Sequence, residues 1–442
     1  MKLLAKGWNQ KTSSFTPFLT HLKGGDETMK LFKHQQDIID ADPKKCGLFL
    51  GTGSGKTITA LMLAEGKTLV VTTKTVRDDK TWERNLEKLD KHKVTKLTVV
   101  SKEEMRRDAH MMPYFDTEIY DESHTVTGVS PQVVYKNKVP RPKMSQVFEA
   151  IWGHIKAQKP KRLYLLTATP IRNPMAVLAH AWLLGKDWDF LKFRETFYFK
   201  LPIHGREIWS PKVTTVLKER LGKAVQGVGF TGRLCDFIDV PEQTFIERHV
   251  PLSTQQTQRI KQIKLDYPDP IVRVGKQHQV EGGTLKGDRF NDSEVFDTGK
   301  LEALEDLHAE YPKLLVFCKY TEQIELIAHY FRKLKVTVLT LTGSTKDRLE
   351  LITQAESLSN CIVLAQTSIS AGYELPSYRC TVYYNESYST VDAQQSLGRT
   401  LRINNPQKNL YVYLLSGDVD KGVRRALAIK EDFNEKIYAE HN

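Results

Sequence analysis

The chain has 442 residues, 40% of them apolar and 27% charged, with a formal net charge of +12. Those proportions exclude a disordered tail, a collagen-like repeat and a coiled coil, and the length predicts roughly two to three domains, each able to bury its own core. The positive excess favours a polyanionic partner without naming one.

No run of about 18 apolar residues is present, so no membrane-spanning helix is expected. The start, Met1 to Lys6, holds too short an apolar run for a secretory leader. The cysteines at 46, 235, 318, 361 and 380 are scattered, with no Cys-x-x-Cys pair. Neither a disulfide framework nor a structural zinc site is expected, and a reducing cytoplasm is the expected setting.

Residues 1–28 are polar and read as a leading segment. From Leu31 short β-branched runs alternate with helical stretches: Cys46 to Leu50, Thr68 to Thr72, Leu97 to Ser101, Glu118 to Tyr120 and Arg162 to Leu166. The rhythm returns at Leu314 to Phe317, Val336 to Leu339, Cys361 to Ala365, Thr381 to Tyr384 and Leu410 to Leu415. Strands separated by helices predict two α/β lobes, each a mainly parallel sheet. Between them, from about 171, lies a less regular stretch broken by Pro241, Pro251, Pro268 and Pro270, read as a helical insertion, with 275–299 as a loop. The lobes are predicted at 29–245 and 246–442, with a helix from Asp418 to about Tyr438.

Three segments carry chemistry. After the strand ending at Leu50 comes Gly51-Thr52-Gly53-Ser54-Gly55-Lys56-Thr57, then a helical run. Such a loop turns backbone amides and a helix N-terminus towards phosphate; Lys56 would reach the β/γ-phosphates of ATP and Thr57 would ligate Mg²⁺. Leu50 stands where the common spacing has glycine, with Gly51 after it. The second segment is Asp121-Glu122-Ser123-His124 at a strand end. Asp121 would hold Mg²⁺ and Glu122 would orient and deprotonate the attacking water. The third, Gln395 to Arg402, puts Arg399 and Arg402 three apart, on one helical face. Guanidinium groups there would neutralise transition-state charge. Taken singly, each segment is also compatible with a turn or a basic surface.

In this order the segments resemble a superfamily 2 helicase or translocase from about 31 to 416. Leu31-Phe-Lys-His-Gln35 resembles the entry motif whose glutamine reads adenine. The loop through Thr57 resembles motif I, Thr72 to Thr75 motif Ia, Asp121 to His124 the DExH box, and Thr167-Ala-Thr169-Pro motif III. Ser370-Ala-Gly372 resembles motif V and Gln395 to Arg402 motif VI. Within that superfamily the chain is most similar to Swi/Snf-type translocases, especially the compact forms of bacteriophage replication modules. Thr169-Pro-Ile-Arg-Asn173 with Phe193 to Phe197, Leu252 to Gln255, Gly299 to Leu304 before Leu315 to Cys318, and Leu341 to Thr345 carry that likeness. The box reads Asp-Glu-Ser-His rather than Asp-Glu-Ala-His.

The resemblance implies two tandem RecA-like P-loop lobes with ATP in the cleft between them. Gln35, Gly51 to Thr57 and Gly372 would bind nucleotide. His124, Thr167, Thr169 and Gln395 would couple hydrolysis to movement. Thr73, Lys74, Ser101, Lys102, Thr342, Gly343, Thr367 and Ser368 would touch nucleic acid, mostly at phosphates. The loop Tyr135 to Lys143, with four basic residues between prolines, is a second nucleic-acid candidate, and Tyr320 or Trp82 would be the stacking aromatics. The implied activity is an ATP-dependent DNA helicase or translocase in phage replication or recombination, in the host cytoplasm. DNA, single-stranded, forked or duplex, is the implied partner, with replication or recombination proteins as further candidates. The alternatives are an RNA helicase, an ATP-switched loading factor without processive motion, and the motor subunit of a restriction-type complex.

Overall fold

The computed structural model describes residues 31–429 apart from 137, 204–205, 213, 238–241, 288–291, 370–372 and 401–407. The leading segment and the predicted helical stretch beyond 429 lie outside the described residues, as do Gly372 and Arg402. The chain divides into two compact units after Phe237.

The first unit carries β1 (Lys45–Leu50), β2 (Glu65–Thr72), β3 (Lys93–Ser101), β4 (Thr117–Tyr120), β5 (Val129–Lys136), β6 (Val139–Met144), β7 (Arg162–Leu166), β8 (Tyr198–Ile203), β9 (Arg206–Pro211) and β10 (Gly229–Gly232). Six form a parallel sheet in the order β10-β1-β7-β4-β2-β3. The central strands are apolar on both faces, as a sheet covered by helices on both sides requires. Alternation divides them: Leu48, Leu50, Ile119 and Leu166 pack on one face, and Phe49, Tyr120, Leu163 and Leu165 on the other.

The second unit carries β11 (Gln243–His249), β12 (Thr284–Leu285), β13 (Glu294–Val295), β14 (Lys313–Cys318), β15 (Val338–Leu341), β16 (Cys361–Gln366), β17 (Cys380–Tyr383) and β18 (Asn409–Leu415). Its parallel sheet runs β11-β18-β17-β14-β16-β15. Leu314 and Val316 face one apolar cluster, Leu315 and Phe317 the other. The two parallel six-stranded sheets flanked by helices are tandem RecA-like lobes. A boundary at 245/246 would cut β11, whose whole length pairs with β18.

Two further differences from the sequence expectation have local causes. Tyr135 to Lys143 is not a loop but the outer part of the antiparallel β5–β6 hairpin, whose prolines sit in a two-stranded ribbon with no inner position to spoil. Residues 275–281 end the helix Pro270–Glu281, which Asp269 caps through the amides of Ile271 and Val272 and which buries Val274 and Val280. Among the described residues no helix is long and apolar enough to cross a membrane.

That helix also locks the last one, Asp418–Ala428, into the second unit. The Glu281 carboxylate accepts the amides of Val419 and Asp420 at 3.1 and 2.8 Å, a cap lent by another element. Gly417 leaves room for it, since a Cβ there would lie 2.0 Å from Glu281 Oε1. Fully buried Lys300 donates to Asp420 Oδ2 at 2.8 Å, and His278 Nε2 meets Oδ1 at 3.1 Å. Burial alone would raise the Asp420 acid, but Lys300 and His278 outweigh it and hold it below the ordinary carboxylate range. Removing one partner strands the other charge in the interior. Lys300→Met should therefore destabilise the second unit by about 3–5 kcal/mol, read as a lower urea midpoint by circular dichroism. A loss below about 1 kcal/mol would show that Asp420 finds another partner.

Candidate nucleotide site

β1 ends in the core at Leu50, which is 1% exposed, so the leucine in the glycine position is a strand residue and the turn starts at Gly51. The Gly51 amide bonds Gly232 O of β10 at 2.8 Å, and buried Ser54 returns its hydroxyl to Gly51 O at 2.7 Å. Gly53 and Gly55 take φ of 80° and 77°, where side-chain-bearing residues are strained. Gly55 caps the helix Lys56–Leu63. Lys56 Nζ donates to Leu50 O and Gly51 O at 2.8 and 3.0 Å, curling over the loop, and Thr57 is half-buried beside it.

The helix Lys33–Asp40 clamps this loop from outside. His34 Nε2 meets Ser54 O at 2.9 Å. Gln35, 3% exposed, accepts the Phe32 amide and donates to Gly55 O at 3.2 Å and Thr59 Oγ1 at 3.4 Å. A Cβ at Gly55 would sit 2.3 Å from Gln35 Nε2. Gln35 therefore rests on the loop it was expected to accompany.

Parallel pairing brings the ends of β1, β4 and β7 out on one sheet edge. The Asp121 amide bonds Val71 O at 2.8 Å, the Thr72 hydroxyl donates to Asp121 Oδ2 at 3.0 Å, and the Glu122 amide donates to Oδ1. Burial first, then the Glu122 charge, pushes the Asp121 acid up to about 6, against Thr72 and the positive charge of Lys56. Glu122 has φ of 45°, which turns its side chain off the strand line. His124 Nδ1 lies 3.3 Å from Glu122 Oε2 and 2.9 Å from Thr167 Oγ1. Thr167 in turn accepts the Thr169 amide at 3.0 Å. His124, Thr167 and Thr169 thus form one chain ending on Glu122.

Two members of the cluster have no part in the nucleotide site by motif. Thr72 begins the motif Ia resemblance, yet its hydroxyl fixes Asp121. Lys102 was expected on nucleic acid; its Nζ donates to Thr125 Oγ1 at 2.9 Å. Burial pulls the Lys102 ammonium below its ordinary pKa, against the charges of Glu103, Glu122 and Asp121. Ser123 meets His180 Nε2 at 2.9 Å, and burial followed by the nearby His124 lowers His180 to about 3, so it stays neutral.

Other expected contact residues have local jobs. Thr73 and Ser101 cap helices, and Ser101 is buried. Lys74 is exposed. Thr367 is buried, its hydroxyl on Cys318 O, while Ser368 is exposed. Thr342 is half-buried with its hydroxyl 2.9 Å from Ser344 Oγ, and Gly343 is exposed. Trp82 is 1% exposed and packs in the core, which removes it as a stacking ring. Tyr320 is half-buried, its hydroxyl near His278 and Tyr388. In the second unit the helix Thr390–Leu397 stops at Gly398, so Arg399 lies past its end, while Arg402 lies outside the described residues. Arg399 is 7% exposed; its Nε donates to Gln395 O and its Nη1 to Tyr373 O, at 3.0 and 2.9 Å.

Residues 299–404 match the helicase conserved C-terminal domain. The chromatin-remodeling ATPase INO80 of Neosartorya fischeri is 25% identical over 206 residues, 42% of this chain and 12% of that protein. The same ATPase of Aspergillus oryzae gives 25% over 206 residues, 14% of its length. The chain thus carries a helicase conserved C-terminal domain and is similar, over less than half its length, to Swi/Snf-type ATPases. It spans only about an eighth of these relatives. The chain also resembles in outline the Sulfolobus solfataricus SWI2/SNF2 ATPase core in complex with dsDNA, at 17% identity, 96% coverage of both chains and TM-score 0.37. The C-terminal part of the Fun30 ATPase domain gives 14% identity, 46% of this chain, 97% of the other and TM-score 0.37. The likeness rests on the domain match and the curated relatives, and these outlines add no weight to it.

Gly55→Ala tests the loop directly. It forces alanine to a left-handed φ, at about 1–2 kcal/mol, and displaces Gln35. Affinity for a fluorescent ATP analogue should fall at least about tenfold, which is about 1.4 kcal/mol. Unchanged affinity would show that the Gln35–Gly55 contact does not shape the site.

Proposed function

We propose that the chain is an ATP-dependent DNA translocase or helicase. The observation that carries the proposal is the meeting, on one sheet edge, of the glycine loop with Lys56, the half-buried Asp121 beside it, and Glu122 held by His124. The residues present fit Mg²⁺-ATP: a loop of amides and a helix N-terminus for phosphate, and a half-buried carboxylate with a nearby threonine hydroxyl for a hard cation. Thr57 and Asp121 would hold the Mg²⁺, whose charge offsets that of the phosphates. Lys56 exchanges its two carbonyl partners for phosphate oxygens. Glu122 takes the proton of the attacking water, and His124 fixes which way that carboxylate points.

Arg399 and Arg402 are the candidates, by the motif VI resemblance, for the charge of the transition state. The Arg399 guanidinium already serves two backbone carbonyls, so we assign it to positioning and Arg402 to the transition-state charge. The chain His124–Thr167–Thr169 supports coupling of the nucleotide state to the segment after β7. Likeness to Swi/Snf-type ATPases supports DNA rather than RNA as the polymer. Likeness to compact phage replication motors is what supports a role in replication or recombination.

Two variants test the assignment. Glu122→Gln should keep ATP binding and lose turnover by about 10²–10⁴-fold. Lys56→Ala should weaken both. Neither should displace the third strand of a triplex, which the wild-type motor should displace when ATP is present. Wild-type turnover in Glu122→Gln would remove it from the base role, and no triplex displacement by the wild type would remove the motor.

A further inference from the structure

The β5–β6 hairpin emerges three residues after the turn that carries His124 and plays no part in the nucleotide site. Its inner half is anchored: Val133 and Met144 pack on the core, Pro142 is buried, and the Ser145 amide bonds Gly128 O at 2.7 Å. Its outer half is bare. Tyr135, 76% exposed, stands opposite Pro140, and exposed Val134 stands opposite Arg141. The turn between Lys136 and Val139 places Lys138 at φ 63°.

The charge here has one sign. Lys136, Lys138, Arg141 and Lys143 fall within eight positions, and no acidic residue occurs anywhere between Glu122 and Glu149. Soluble surfaces usually intersperse the two signs. Strand alternation puts Tyr135 and Pro140 on one face of the ribbon and Arg141 and Lys143 on the other, with Lys138 at the turn between them. A strand wrapped over the tip therefore meets a flat apolar face for a base and counter-charges for its flanking phosphates. Paired bases in a duplex hide their faces, whereas an unpaired strand exposes them.

We propose that the tip of this hairpin grips single-stranded DNA, with a base stacked on Tyr135 and phosphates held by Lys138, Arg141 and Lys143. The proposal rests on the DNA-motor reading above and adds the site and the strand form. The grip also reaches the catalytic segment. The Thr127 hydroxyl donates to His124 O at 2.9 Å and the Val129 amide to Thr127 O at 2.7 Å, so β5 begins as a continuation of the turn after Glu122. A strand held at the tip loads the segment that carries Glu122 and His124, and stimulates hydrolysis.

The test uses the full chain, a fluorescent oligo-dT, a duplex of equal length and oligo-rU, followed by anisotropy at fixed salt. Tyr135→Ala should weaken oligo-dT binding about tenfold, with duplex binding within about twofold. Lys138→Glu with Arg141→Glu should weaken oligo-dT binding further and flatten its salt dependence. Both should lower the oligo-dT stimulation of ATP turnover. Wild-type affinity and stimulation in both variants would overturn the hairpin site, as would tighter binding of oligo-rU than oligo-dT. A wild-type protein that neither binds nor responds to any DNA would overturn the motor reading instead. Should a variant misfold, photo-crosslinking of wild-type protein to an iododeoxyuridine oligonucleotide decides: attachment at Tyr135 supports the site, and attachment elsewhere alone overturns it.

Discussion

Parallel strand pairing through β1, β7 and β4 is the constraint on which the site depends. Parallel strands all end on one edge, so the turn after β1, the Asp121–Glu122 pair after β4 and Thr167 after β7 must appear side by side. Slipping one strand by a residue would exchange the side chains it packs against the two cores and misplace its terminal group together. The buried leucines, isoleucine and tyrosines of these strands therefore fix the chemistry as well as the fold. The same edge also gathers two carboxylates next to Lys56, which accounts for the raised acid of Asp121: burial and a like-charged neighbour both work against its ionised form.

The polar contacts around that edge divide the labour between neighbouring residues. Asp121 is immobilised by a backbone amide, the Thr72 hydroxyl and its place just past the end of β4. Glu122 is freed from the strand by its left-handed backbone and held from one side by His124. His124 looks both ways, to Glu122 and to Thr167. A shift after β7 therefore reaches the carboxylate through a single ring. The β5–β6 hairpin leaves the same turn, so two mechanical inputs converge on one residue pair. In the second unit the buried Lys300–Asp420–His278 group plays a different part, tying the last described helix to the sheet.

The elements most legible in the sequence were those with strong local physics. Continuous apolar runs between helices announced both parallel sheets, and the glycine loop between a strand and a helix announced the phosphate site. Less legible were features decided by tertiary contact. The hairpin was hidden because Pro140 and Pro142 read as strand breakers, though a two-stranded ribbon tolerates them. Trp82 looked available because it follows motif Ia, but helix packing buries it. The spacing of Arg399 and Arg402 suggested a helical face, whereas Gly398 ends the helix first. Thr72 and Lys102 join the carboxylates only because β2 lies beside β4 and β3 beside β2, a proximity no local pattern carries.

The central claim is that a nucleotide site of this geometry drives work on DNA. The measurement that tests it most directly is the steady-state rate of ATP hydrolysis by the full chain alone, then with single-stranded DNA, duplex DNA, forked DNA or RNA, at low and high salt. The account predicts strong stimulation by DNA, weaker by RNA, falling as salt rises. Equal or greater stimulation by RNA, or steady turnover that no nucleic acid changes, would contradict it.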